Sequence, residues 1–233
     1  MMTGRERVLA ALKFQHPDRP PRDLWALPYI SLFRQDELDA FYEEYPVDIG
    51  RSQLSPGQSD ETVEATRKIG TYRDAWGSVW HVGEPGVVGE VKEPAIADWS
   101  DLAKFQPPWE VIRKRDLSYV NQMCESSDQF MLSDVTARPF ERLQFLRGSE
   151  ALYMDLGYGP QELLRLLEMV HEFYLEDIRA WCKSSVDGIV FMDDWGSNIS
   201  LLINPKTWRE LFKPLYKEYC DLIHAAGKYA FFH

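Results

Sequence analysis

The spacing of apolar positions predicts strands and helices that alternate along the chain. Five short apolar runs bounded by turn-forming residues predict parallel strands, at 24–30, 47–53, 130–135, 187–192 and 228–232. A long helix is predicted from Pro160 to Lys183, because its apolar residues recur every three or four positions. Between the last two strands, Asn204 and Pro205 predict the start of a helix and Gly227 its end.

The remaining segments predict shorter helices and one antiparallel excursion. Thr3 and Glu6 form a capping-box pattern that opens a first helix. Further helices are predicted at 36–44, 109–125, 139–147 and 149–156. The stretch 70–92 is rich in Gly, Trp and Val and contains a Glu-Pro-Gly turn, which is typical of a β-hairpin.

A strand, a helical crossover and a parallel strand form the repeating unit of an α/β barrel. The order of elements therefore predicts a TIM-type (β/α)8 barrel that carries an inserted hairpin near residues 70–92. About five parallel strands can be counted, whereas such a barrel has eight. We expect residues 1–233 to form a single barrel domain that lacks its last strands.

Composition narrows the class of protein. The 45% hydrophobic and 27% charged content is ordinary for a soluble globular protein. The net charge of −11, with scattered Lys and Arg, argues against nucleic acid or an anionic membrane as partner. The three cysteines lie far apart and no signal sequence or membrane helix is visible, so we expect a reduced, cytoplasmic protein.

The candidate chemistry lies at the predicted ends of two strands. Asp193 and Asp194 follow the fourth apolar run, and His233 follows the fifth. In α/β barrels the active site is at the carboxyl ends of the strands, where a carboxylate can act in acid–base chemistry. The alternative is that one aspartate caps the following turn. His233 is a suitable zinc ligand, but a catalytic zinc site needs about three protein ligands.

Several blocks of the sequence carry a resemblance to a known family. They read RERVLAALKFQHPDRPPRD near the start, Asp74 to Gly77, VTARPFERLQFLRGSEALYMDL, and GIVFMDDWGS followed by INPKTWRELFKPLYKEY. In this order and spacing they resemble the uroporphyrinogen decarboxylase superfamily along the whole chain. The resemblance implies a TIM-type barrel with an active-site cleft at the carboxyl ends of its strands.

Two branches of that superfamily differ in chemistry. True decarboxylases carry an arginine-rich loop after the first strand, but this chain reads LWALPYISLFRQ, with Arg34 alone. An octacarboxylate substrate would be poorly bound without a guanidinium cluster. In the other branch, cobamide-dependent methyltransferases and O-demethylases bind zinc through a histidine at the end of the fifth strand and two later cysteines. His233 matches that histidine by position, and both cysteine positions would lie beyond it.

The resemblance favours a corrinoid-linked methyltransferase. It implies methyl transfer between a cobamide, carried by a corrinoid partner protein, and a thiol or a methoxylated or methylated small molecule. We expect Asp193 and Asp194 to be catalytic and His233 to bind zinc. The substrate pocket is expected to be lined by Trp195, Asn198, Arg138 and Trp25. Uroporphyrinogen decarboxylation stays open as an alternative, as does a truncated, non-catalytic remnant or an interaction module completed by another chain.

Overall fold

The computed structural model describes residues 1–52 and 68–233. Its centre is a parallel sheet in the order β1-β5-β6-β7. These strands are β1 (Ile49–Arg51), β5 (Phe130–Val135), β6 (Gly188–Phe191) and β7 (Tyr229–Phe232). A separate antiparallel sheet consists of β2 (Gly70–Arg73), β3 (Val79–Val82) and β4 (Glu90–Glu93).

Helices connect these strands and flank the parallel sheet. In the described residues they are α1 (Gly4–Leu12), α2 (Pro28–Phe33), α3 (Gln35–Glu44), α4 (Trp109–Arg113), α5 (Ser118–Glu125), α6 (Pro139–Arg147), α7 (Ser149–Tyr158), α8 (Gln161–Cys182), α9 (Pro205–Thr207) and α10 (Lys213–Ala225). A 3-10 turn spans Trp99–Ala103, and a π turn, Trp208–Phe212, joins α9 to α10. No helix in these ranges is long and apolar enough to cross a membrane.

The predicted helix signals act as expected. Thr3 accepts the amide proton of Glu6 while the Glu6 side chain accepts that of Thr3, so the capping box is formed. The Asn204 side chain caps the start of α9 by accepting from the Lys206 amide. Gly227 has φ +72°, a left-handed conformation that glycine adopts at low cost just after a helix.

The predicted first strand at 24–30 is wrong. Residues 24–27 belong to no strand, and helix α2 begins at Pro28. A short apolar run fits a helix as well as a strand. Pro28 decides between them, because its fixed φ and missing amide proton suit the first position of a helix. The described parallel sheet therefore has four strands instead of about five.

Two further expectations, the closed barrel and the continuous helix at 109–125, differ from the structure. The α/β class and the parallel sheet are confirmed, but the described strands form an open sheet and do not close into a barrel. The predicted hairpin at 70–92 is confirmed and is part of a three-stranded sheet.

The predicted helix 109–125 is not continuous. It is broken into α4 and α5 at 114–117, where the Arg115 side chain is buried against Asp177. The last residue of the predicted strand 47–53 lies outside the described residues.

The core lies on both faces of the parallel sheet. Ile189 and Phe191 belong to a large apolar cluster shared with the helices, whereas Val190 belongs to a smaller cluster with residues of α1 and β5. Successive side chains of a strand point to opposite faces, so the two clusters lie on opposite sides of β6. Burial on both faces is typical of parallel sheets.

Arg142 is one of the residues that join the antiparallel sheet to this core. Arg142 of α6 lies 3.4 Å from an Asp74 carboxylate oxygen and its guanidinium is 4.5 Å from the centre of the Trp76 ring. Asp74 also accepts hydrogen bonds from the Ser78 amide and the Trp80 indole, both at 2.9 Å. Since Asp74 is buried, these contacts tie the small sheet to α6.

Candidate functional site

The carboxyl ends of β6 and β7 meet at one rim of the parallel sheet. The His233 amide donates to the Phe191 carbonyl at 3.1 Å, and the Asp193 amide donates to the His233 carbonyl at 3.4 Å. The backbone pairing thus continues beyond the ends of both strands. As a result, Asp193, Asp194 and His233 lie at the same rim, as the sequence predicts. Their catalytic roles stay predictions.

Asp193 is the buried member of the acidic pair, with 3% of its surface exposed. Its carboxylate accepts hydrogen bonds from the amides of Phe140 at 2.9 Å and Glu141 at 2.8 Å. These amides belong to the first turn of α6, where backbone donors have no partner within the helix. The Tyr216 hydroxyl of α10 also donates to Asp193. Asp193 therefore joins the end of β6 to the start of α6 and to α10.

The environment of Asp193 raises the pKa of its carboxyl group toward neutral pH. Burial raises its pKa to about 7 from 3.8, although the hydrogen bonds from Glu141, Tyr216 and Phe140 lower it. Burial in turn raises the pKa of the Tyr216 hydroxyl, and the neighbouring Asp193 carboxylate raises it further. Tyr216 thus stays protonated and donates to the carboxyl group. These contacts hold the start of α6 and Tyr216, and not the turn after β6 that the sequence analysis gave as the alternative to direct chemistry.

Asp194 and His233 form the accessible part of the rim. Their side chains are 65% and 56% exposed, and the His233 Nδ1 lies 3.9 Å from an Asp194 carboxylate oxygen. The Trp25 ring meets the His233 ring edge to face, with centres 5.0 Å apart. Trp25 therefore reaches the predicted site although it precedes α2 in the chain. A small molecule at the rim would meet a carboxylate, an imidazole and an indole face.

Arg138 and Glu141 line the same rim from the start of α6. The Arg138 Nη1 is 3.4 Å from the Glu141 Oε2, and the two side chains are 28% and 17% exposed. The Glu141 amide donates to Asp193, and Asp194 follows Asp193 in the chain, so Glu141 lies at the same rim. Arg138 was predicted from sequence, whereas Glu141 was missed. The signal for it is Pro139, which starts a helix directly after β5 and so brings the first turn of α6 to the rim.

Of the two remaining predicted pocket residues, Trp195 packs against the core and Asn198 is exposed on a loop. The Trp195 ring stacks on Phe140, with centres 4.4 Å apart, so it supports the start of α6 from the core side. Asn198 is exposed on the loop closed by the bridge between Gly196 and Leu201. Within the described part of the chain, no hydrogen bond joins Asn198 to the rim residues. The structure thus brings Trp25 and Arg138 to the rim, and Asn198 lies exposed on a neighbouring loop segment of the chain.

The donor set at the rim does not fit the expected zinc site. Catalytic zinc takes about three protein ligands, and in residues 1–52 and 68–233 no three His, Cys, Asp or Glu side chains are grouped to hold a metal ion. His233 has Asp194 as its acidic neighbour, and the cysteines are half-buried in helices: Cys124, Cys182 and Cys220. Zinc binding by His233 stays a prediction.

An apolar cavity lies apart from these charged groups. It has a volume of about 350 Å³ and is lined by residues 27–30 of the α2 region and 86–88 of the loop before β4. None of the charged rim residues lines it. The candidate site is therefore an open rim and the apolar cavity is a separate feature.

Comparisons with known proteins address the fold. Models of protein families give no match to this chain, and curated proteins give none either. Among solved structures, the chain is similar to a methyltransferase from Methanosarcina mazei, with a TM-score of 0.67 and 15% sequence identity. The likeness covers 100% of this chain and 70% of that one. At this identity it shows a shared α/β fold.

Proposed function

We propose that the protein is a corrinoid-linked methyltransferase. In this proposal it moves a methyl group between a small molecule bound at the rim and a cobamide carried by a partner protein. The observation that carries the proposal is the likeness of the entire chain to a methyltransferase of the same fold. The rim supports it further, because folds of this class place their chemistry at the carboxyl ends of parallel strands.

The rim residues take different parts in this function. Asp194 and His233 are exposed and contact the substrate, while Trp25 provides an apolar wall beside His233. Asp193 holds α6 in place and so positions Arg138. Arg138 brings a guanidinium group to the rim, and such groups bind substrate carboxylates well.

Zinc has no step in this proposal. The described residues around His233 do not supply a three-ligand site. The proposed transfer therefore relies on side chains of this chain to bind the substrate and to handle protons. The cobamide is a co-substrate delivered by the partner.

Methyl transfer can be measured directly in two directions. Purified protein is incubated with methylcobalamin and a thiol, or with cob(I)alamin and a methoxylated aromatic compound, and the change in cobalamin absorbance is followed. We expect turnover in at least one direction, with a loss of about 100-fold in His233→Ala, if that side chain contacts the substrate. His224→Ala is the matched control, since His224 is an exposed histidine in the last turn of α10.

Two results would reject the proposal. The first is the absence of methyl transfer in both directions. The second is conversion of uroporphyrinogen to coproporphyrinogen, which would make the protein a decarboxylase. The position of Arg34 argues against the second result, because its side chain is exposed and ion-paired with Glu37.

A further inference from the structure

Glu141 is an ionisable group at the rim to which the proposed function gives no part. Its backbone amide donates to the buried Asp193 carboxylate at 2.8 Å, so its position is fixed at the start of α6. Its side chain is 17% exposed. The Oε2 atom is buried and has no hydrogen-bond partner. A buried polar oxygen without a partner is uncommon and calls for an explanation.

The charges around Glu141 do not compensate this oxygen fully. Arg138 is an ion-pair neighbour at 3.4 Å but does not donate a hydrogen bond to it. Burial raises the pKa of the Glu141 carboxyl, and Asp194 raises it further, while Arg138, Arg142 and His233 lower it. The balance favours the protonated acid at a higher pH than for an exposed glutamate.

We propose that Glu141 donates a proton to the leaving oxygen of a methoxylated substrate, an inference that rests on the proposed methyltransferase function. Glu141 is suited to this role because its amide is bonded to Asp193 at the rim and its partly exposed side chain is held at the start of α6. A general acid of this kind contributes typically a factor of about 100 or more to the rate.

Atoms and charges balance in this step. The bond between the methyl carbon and the ether oxygen breaks, and its electron pair stays on the oxygen. The methyl carbon passes to the acceptor nucleophile, a reduced cobamide, and the oxygen takes the proton of Glu141. The products are the methylated acceptor, a neutral alcohol or phenol and the Glu141 carboxylate, which then takes a proton from water.

A purely structural role for Glu141 makes a different prediction. If the glutamate only pairs with Arg138, its removal lowers activity equally for every methyl ether. If it protonates the leaving oxygen, its removal matters more for a poor leaving group, because a stable phenolate can depart without a proton. The dependence on the leaving group therefore separates the two roles.

The experiment compares anisole and para-nitroanisole as methyl donors to cob(I)alamin, using the full chain. Glu141→Gln keeps the size of the side chain and removes the proton. We expect about a 100-fold loss of kcat/KM with anisole and a loss below about 10-fold with para-nitroanisole. Glu141→Asp should restore part of the activity with anisole. Glu162→Gln is the matched control, because Glu162 is an exposed glutamate in the first turn of α8.

Each outcome decides the inference. Equal losses with both ethers in Glu141→Gln, or no loss with either, would overturn it, as long as circular dichroism shows that the variant is folded. Transfer from methylcobalamin to a thiol, with none from either ether to cob(I)alamin, would overturn it while the proposed function stands. The absence of transfer in both directions removes the proposed function, and the inference goes with it.

Discussion

Replacing Asp193 by alanine tests whether this carboxyl group holds the rim together. The substitution leaves three buried donors without an acceptor, namely the Phe140 amide, the Glu141 amide and the Tyr216 hydroxyl. Each buried donor without a partner costs about 1–3 kcal/mol. With about 1 kcal/mol for each group, the free energy of unfolding should fall by roughly 3 kcal/mol.

Urea denaturation followed by tryptophan fluorescence measures this loss. The titration is done at about pH 4, close to the ordinary aspartate pKa of 3.8, so that the cost of protonating Asp193 on folding hardly enters. Asp194→Ala is the matched control, because Asp194 is the exposed neighbour and its removal should cost less than about 0.5 kcal/mol. A loss below about 1 kcal/mol in Asp193→Ala would contradict the assigned hydrogen bonds.

Three other predictions follow from buried or strained positions. Burial raises the pKa of Asp193 to about 7 from 3.8, so the folded state binds its proton more tightly than the unfolded state. Stability should therefore fall by up to about 4 kcal/mol as the pH rises from about 4 to about 7, and urea titrations of Asp193→Asn should show a smaller fall. Arg115→Met leaves Asp177 buried without its ion-pair partner, so the free energy of unfolding measured by urea titration should fall by about 3 kcal/mol. Gly86 has φ +80°, and a Cβ there would lie 2.7 Å from the Tyr29 Cα, so Gly86→Ala should lower stability by about 1–3 kcal/mol in the same titration.

The sequence predicts the parallel strands where a polar residue follows an apolar run directly. This holds for β5, β6 and β7, whose ends were each placed within a residue or two. The run at 24–30 has the same apolar character, but Pro28 starts a helix and residues 24–27 pair with no strand. Strand pairing depends on distant segments, so a local pattern cannot show whether an apolar run finds a neighbour.

The rim was predictable in outline because its residues follow the strand ends. The sequence did not show that Asp193 would be buried and Asp194 exposed. The burial of Asp193 depends on Phe140 and Tyr216, which are 53 and 23 positions away in the chain. Glu141 was missed because a glutamate in the first turn of a helix usually has a local explanation, the favourable interaction with the helix dipole.

The Arg142 contacts have a consequence for any attempt to divide the protein into smaller working parts. The guanidinium that lies against Asp74 and Trp76 belongs to the same helix whose first turn lines the rim. Deleting the antiparallel strands would remove Asp74 and Trp76, the carboxylate and the aromatic ring that contact this helix through Arg142. The small sheet is therefore a buttress of the helix that carries Glu141, so shortened versions of the protein should keep it.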